Sequence, residues 1–225
     1  MDIKHIFFDL DHTLWDFDRN SKLTFEQIFE EQNINIQIDK FLEIYMPINL
    51  KYWRLFRENK ILKKDLRYKR LKEAFDVLNY NASDDLINKI SEDYIKYLPN
   101  NNYLFEGTIE ILDYLIEKYE LHIITNGFEE VQNVKLKKSG IDKYFNKVIT
   151  SECIGVKKPD PKIFEYALKQ ANALADNSMM IGDSYEADVL GAMNVGMSTI
   201  HFVNENDIDN RVTSINSLAQ LKQYL

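Results

Sequence analysis

The stretch "TIEILDYLIEKYELHIITNGFEEVQNVKLKKSG", residues 108–140, decides the fold. Its opening part spaces apolar side chains three and four residues apart, the period of an amphipathic helix. "ELHIIT" is a short apolar, β-branched run and reads as a buried strand. Helical spacing resumes from Phe128. The alternation continues through strand "KVIT", helix "PKIFEYALKQAN", strand "SMMIGD", helix "YEADVLGAMNVG", strand "STIHFV" and a last helix "INSLAQLKQYL". Strand–helix alternation predicts right-handed crossovers and a parallel sheet covered on both faces. The expected class is α/β, a Rossmann-like, doubly wound parallel sheet.

Upstream, "IKHIFF" reads as one more buried strand, and a lone strand must join the sheet to bury both faces. The next ~90 residues have a different texture. "SKLTFEQIFEEQN", "DKFLEIYMPINLKYWRLFREN", "KKDLRYKRLKEAFDVLN" and "SDDLINKISEDYIKYL" are four amphipathic helices. Ser83 ahead of Asp84 and Asp85 predicts an N-cap with an acidic first turn. Pro47 predicts a kink or break in the second helix. The organisation expected is a core of residues 1–15 and 101–225 with an α-helical cap, residues 16–100, inserted after the first strand.

Composition narrows the possibilities. The chain has 225 residues, 45% of them hydrophobic, enough for a sizeable packed core. Only 7 Gly and 4 Pro argue against long flexible linkers. The single cysteine, Cys153, has no intrachain partner and is expected to be a small buried residue. No apolar run reaches the ~20 residues of a membrane span, and the first residues read as strand rather than signal peptide. The expectation is a cytoplasmic protein without membrane attachment. A net charge of −8 disfavours a nucleic-acid polymer as partner. The charge is uneven, however. Lys51 to Glu73 carries ten Lys/Arg against three Asp/Glu, a balance of +7 that leaves −15 for the remainder. That stretch is either a solvated helix face or a basic wall for an anionic substrate.

Ligand sites of doubly wound sheets lie beyond the carboxyl ends of the strands. Those ends carry Asp9 and Asp11 in "FFDLDHTL", Thr125-Asn126-Gly127, Lys157 and Lys158 in "GVKKPDPKIF", and Asp183 and Asp188 in "MIGDSYEAD". Asp9 and Asp11, two apart, would point to one side of a continuing strand and repel unless something positive sits between them or one is protonated. Carboxylate oxygens with few other ligands suit Mg²⁺. A hydroxyl at a helix N-terminus and a lysine suit phosphate oxygens. The set describes phosphoryl transfer with a carboxylate nucleophile.

"FFDLDHTL", "IITNG", "VKKPDPKIF" and "MIGDSYEAD" resemble the four motifs of the haloacid dehalogenase superfamily, in the expected order. The position of the helical insertion resembles the subfamily with a C1-type cap. The resemblance implies Asp9 as the nucleophile that forms an aspartyl-phosphate. It implies Asp11 as the acid that protonates the leaving oxygen and then the base that activates water. Mg²⁺ would be held by Asp9, the main-chain carbonyl of Asp11, and Asp183. Thr125 and Lys158 would bind phosphate oxygens, with backbone N–H groups near Asn126 and Leu10. Asp188 is either an orienting partner of Lys158 or a helix-face charge. Thr13 is expected to fix the loop, and Lys157 to be solvated.

The second aspartate, Asp11, favours phosphate chemistry over dehalogenation. The longer string "IITNGF…Q…L…GI…YF…SE.IGVKKPDPKIFEYAL" resembles the pyrimidine 5′-nucleotidase branch. That implies a small phosphorylated substrate, a nucleoside monophosphate. In the cap, Asn49, Trp53 and Arg70 are candidates to contact it, against the alternative that they only pack the helices; Asn49 and Trp53 share a helix face. Two other readings stand beside the nucleotidase: a phosphosugar phosphatase or mutase on the same core, the mutase weakened by His12 where that branch has glycine, and a non-catalytic binding protein on the same scaffold. A monomer or homodimer is expected.

Overall fold

A computed structural model describes residues 2–203 and 211–225. The chain divides into two compact units, Met1–Phe17 with Asn102–Leu225, and Asp18–Asn101. The first unit is built on a six-stranded, all-parallel sheet. Its strands are β1 (His5–Phe8), β2 (Glu120–Thr125), β3 (Phe145–Thr150), β4 (Ser178–Gly182), β5 (Ser198–Phe202) and β6 (Ser214–Ile215), in the spatial order β3-β2-β1-β4-β5-β6. The order reverses at β1, which pairs with β2 on one side and β4 on the other. A crevice opens at such a switch point, because the flanking crossovers leave toward opposite faces.

Both faces are dry. Phe7 and Met180 pack with Ile163, Phe164 and Ala167 of the helix Pro161–Ala171. Phe8, Ile123 and Ile181, one residue along on adjacent strands, point the other way and are equally buried. Strands covered on both faces read as continuous apolar runs, which is why "IKHIFF" and "SMMIG" carry no polar alternation. Asp160 caps the Pro161–Ala171 helix by accepting from the Lys162 N–H at 2.9 Å, and proline takes the first helical position, where its missing N–H costs nothing.

The C-terminus differs from the helix expected over 215–225. Ser214–Ile215 is drawn into the sheet as β6 beside β5, and Leu218–Gln223 winds as a 3₁₀ helix. Runs of 3₁₀ winding are characteristically short. The segment after β4 also departs from a plain helix: Tyr185–Leu190 is a π-helical turn, running into a single α turn, Gly191–Met193. Cys153 is exposed rather than buried, because a one-turn helix, Ser151–Ile154, carries it across the surface beyond β3.

The second unit holds α1 (Phe17–Glu31, whose first residue belongs to the sheet unit), α2 (Ile38–Arg57), α3 (Lys63–Val77) and α4 (Asp84–Tyr97). Helix α2 runs through Pro47 without a break. Ser83 caps α4, accepting from the Leu86 N–H at 3.2 Å. The interior is aromatic. Phe25 lies 4.6 Å from Tyr94 and 4.9 Å from both Phe41 and Tyr45, ring centre to ring centre. The basic stretch is laced with acids along its exposed faces: Lys51 meets Glu73, Arg54 and Lys60 meet Glu58, and Lys69 meets Asp65. Such pairs contribute little stability. Their presence favours the solvated face over the basic wall.

Buried polar residues on the sheet include a histidine pair. His5 on β1 and His122 on β2 share a face at the amino-terminal end of the strands, with Nδ1 and Nε2 3.3 Å apart. Burial, reinforced by His5, pushes the His122 pKa down to about 4. The unfolded chain therefore binds a proton between pH 6.5 and about 4 that the folded chain does not, and stability falls as pH falls through that window. Relative to a His122→Gln variant, the wild type is predicted to lose up to ~3 kcal/mol over this range. Urea denaturation at a series of pH values checks this; parallel stability curves for the two proteins would contradict it.

Candidate active site

The site is assembled where β1 and β4 end. Asp9 follows the last residue of β1, and its N–H still bonds the Ile181 carbonyl at 2.9 Å, so the sheet sets its position. The chain then turns sharply. The Leu10 carbonyl accepts from Leu14 N (3.0 Å) and Trp15 N (2.9 Å), and His12 takes a left-handed φ of 61°. Asp11 sits on this turn, not on a strand. Strand alternation therefore does not hold the two carboxylates to one side, and each is met by its own lysine.

Lys158 serves Asp9. Its buried ammonium lies 2.7 Å from Asp9 Oδ1, 2.7 Å from the Ile124 carbonyl and 2.6 Å from Asp188 Oδ1. The first two are hydrogen bonds and the third is an ion pair. The Asn126 side chain fixes the Lys158 backbone from both sides, its Nδ2 donating to the carbonyl at 3.0 Å and its Oδ1 accepting from the N–H at 2.8 Å. Asp188 is buried and is held by the Ser184 N–H at 3.0 Å. A Cβ at Gly182 would collide with the Asp188 carboxylate, so glycine is required there. Asp183 follows β4; its carbonyl is 2.8 Å from His201 Nε2, and Thr13 Oγ1 donates to its carboxylate at 3.4 Å. Thr125 Oγ1 accepts from Gly127 N (3.0 Å) and Gln132 Nε2 (2.8 Å).

Lys135 serves Asp11. It is fully buried on the helix Glu129–Ser139, and its ammonium lies 2.5 Å from Asp11 Oδ1 while Gln132 Nε2 donates to Oδ2 at 3.0 Å. Motif reasoning passed over both residues. The signal lay in the helical phase: Val131, Gln132, Lys135 and Leu136 form the buried stripe of this helix, and a lysine inside an apolar stripe has to be paired.

Among the described residues, the four carboxylates Asp9, Asp11, Asp183 and Asp188 are met by the ammonium groups of Lys158 and Lys135. Burial first, then the neighbouring Asp188 and Asp11, raise the Asp9 pKa to about 7, against the pull of Lys158. Burial and the neighbouring Asp9 and Asp188 hold Asp183 well above the usual carboxylate range. Burial alone would lower Lys158, but Asp188 and Asp9 outweigh it and the net shift is upward. Carboxylate oxygens of Asp9, Asp183 and Asp188 lie within 4.8 Å of one another. An all-oxygen donor set with unbalanced negative charge fits a hard divalent cation such as Mg²⁺.

Asn49, Trp53 and Arg70 lie in the helical unit, and the first and last meet there. Arg70, buried, donates from Nη1 to Asn49 Oδ1 at 2.8 Å, with its guanidinium over the Tyr94 ring at 5.1 Å. Trp53 is half-buried against Phe56.

The profile of the haloacid dehalogenase-like hydrolases matches residues 6–202, and the chain belongs to that family. It is 32% identical to pyrimidine 5′-nucleotidase PynA of Streptococcus pneumoniae over 92% of this chain and 86% of that protein. It is 30% identical to pyrimidine 5′-nucleotidase YjjG of Escherichia coli over 98% and 96%. A glyceraldehyde 3-phosphate phosphatase of Methanothermobacter thermautotrophicus is also 30% identical, over 99% and 100%. Among solved structures, the magnesium-bound HAD-hydrolase YfnB of Bacillus subtilis superposes with a TM-score of 0.90 at 27% identity, over 100% of this chain and 99% of that one. The chain is a phosphoric monoester hydrolase.

Removing the Lys158 ammonium would strand Asp9 and Asp188. Lys158→Met is predicted to cost about 3–5 kcal/mol of stability, read by chemical denaturation. Unchanged stability would show that the two carboxylates are not held by this lysine.

Proposed function

We propose that the protein is a Mg²⁺-dependent 5′-nucleotidase that hydrolyses pyrimidine nucleoside monophosphates through an aspartyl-phosphate on Asp9. The observation that carries the phosphatase chemistry is the Lys158-held Asp9 beside Asp183 and Asp188. The nucleotidase assignment is supported by two full-length relatives that bear that name.

In this reading Lys158 occupies one oxygen of Asp9 and leaves the other to attack phosphorus in line with the ester oxygen. Asp11 gives a proton to the departing oxygen, then takes one from the water that cleaves the acyl phosphate. Thr125 and the N–H groups beyond Asn126 and Leu10 bind the phosphoryl oxygens. A divalent ion held by Asp9, Asp183 and the Asp11 carbonyl would neutralise charge on the phosphoryl group, so that an anion can attack an anion. Arg70, Asn49 and Trp53 contact the nucleoside part. The setting is cytoplasmic, the working form a monomer or homodimer. Among the described residues no helix is long and apolar enough to cross a membrane.

The second reading is a phosphosugar phosphatase, favoured by the relative of that kind at 30% identity over 99% of the chain. A phosphate-release assay across both substrate classes separates them. The account expects at least about a tenfold advantage in kcat/KM for pyrimidine nucleoside monophosphates, ~1.4 kcal/mol of transition-state binding. The reverse preference assigns the phosphosugar. Asp9→Asn should abolish turnover while circular dichroism stays unchanged; retained activity would remove Asp9 as nucleophile. Arg70→Leu should raise KM for nucleotides more than for p-nitrophenyl phosphate, and equal effects would leave Arg70 as packing alone.

A further inference from the structure

We infer that Lys135 is a positioning residue for the proton-transfer steps, fixing the Asp11 carboxyl together with Gln132. The inference rests on the reading of Asp11 as the group that exchanges protons with the leaving oxygen and with water. A buried ammonium is costly to desolvate, and an apolar side chain would fill the same space on the buried stripe of the helix more favourably. What Lys135 adds is directional. Its ammonium takes Asp11 Oδ1 at 2.5 Å and lies over the Trp15 ring at 4.0 Å and the Phe17 ring at 5.3 Å. The two aromatic faces restrict where it can sit. Gln132 takes Asp11 Oδ2 at 3.0 Å and is itself tied to Thr125 Oγ1 at 2.8 Å.

With one donor on each oxygen, the plane of the carboxyl is set. Each oxygen still has a second lone-pair direction for a proton. Gln132 also links Asp11 to Thr125, the candidate phosphate-binding threonine.

The chemistry makes this testable. In the first step an Asp9 carboxylate oxygen bonds to phosphorus as the bond between phosphorus and the ester oxygen breaks; the electron pair of the broken bond goes to the ester oxygen, and the Asp11 proton follows. An alkoxide leaves poorly without that proton, whereas p-nitrophenolate is a stable anion and needs it little. Loss of orientation at Asp11 should therefore penalise alkyl phosphates selectively. The ratio of kcat/KM values reports the step that expels the leaving group.

Lys135→Met is predicted to lower kcat/KM about 100-fold for an alkyl phosphate, within the usual range of general-acid contributions, and about threefold or less for p-nitrophenyl phosphate. A nucleoside 5′-monophosphate and glycerol phosphate both serve as the alkyl probe, so the test stands whichever substrate class is hydrolysed. In an Asp11→Asn background the Lys135→Met change should have no further selective effect. An equal loss on both substrates, or no loss, overturns the inference. Lys135→Gln, which keeps a donor near Asp11, should show a smaller shift of the ratio, and it supplies the same readout if the methionine variant does not fold. If Asp11→Asn itself shows no leaving-group selectivity, the reading of Asp11 fails. If it does and the Lys135 variants do not, only the role of Lys135 fails.

Discussion

Among the described residues, four carboxylates are gathered at the end of a buried sheet, and two ammonium groups pair with them. Asp9 and Asp188 share Lys158, and Asp11 has Lys135. Asp183 has a hydroxyl contact from Thr13 at 3.4 Å. The set carries a formal excess of two negative charges, and like charges held close raise each other's pKa. A divalent cation is the simplest species that closes the balance.

The fold explains why these groups can be held so close. β1 lies between β2 and β4, so the residues leaving β1, β2 and β4 emerge side by side. Each strand delivers one part: Asp9 from β1, Thr125 and Asn126 from β2, Asp183 from β4. Lys158 comes from a loop, and a loop lysine would ordinarily be mobile. Here the Asn126 side chain clamps its peptide on both sides, so rigidity passes from β2 to the ammonium. Local glycine choices serve the same end. At Gly182 a side chain would displace Asp188 and with it one of the three partners of Lys158.

Much of this was legible in the sequence, for identifiable reasons. Strands buried on both faces leave uninterrupted apolar runs, and "ELHIIT" marks β2 at the residues the structure gives it. Motif residues carry their chemistry in their type, so Asp9, Lys158 and Asp183 could be named without coordinates. What escaped depends on three-dimensional pairing. Nothing local marks Lys135 as the partner of a residue 124 positions away. The turn after β1 was read as strand because Asp11 fits a two-residue period, while the hydrogen bonds to the Leu10 carbonyl close a turn instead. The last helix was lost to a strand pairing, Ser214–Ile215 with β5, that no periodicity over two residues can signal. In the helical unit, residue type and spacing do not separate a packing role from a contact role for Asn49, Trp53 and Arg70, and the Arg70–Asn49 hydrogen bond joins positions 21 apart that no local pattern links.

The central claim is that the site carries an excess of negative charge that one divalent ion neutralises. Calorimetric titration of the metal-free protein with Mg²⁺, alongside an Asp183→Asn variant, tests it most directly. The account predicts one ion bound per chain by the wild type, with a rise in Tm, and binding lost or severely weakened in the variant. Absence of binding by the wild type, or equal binding by both proteins, would contradict it.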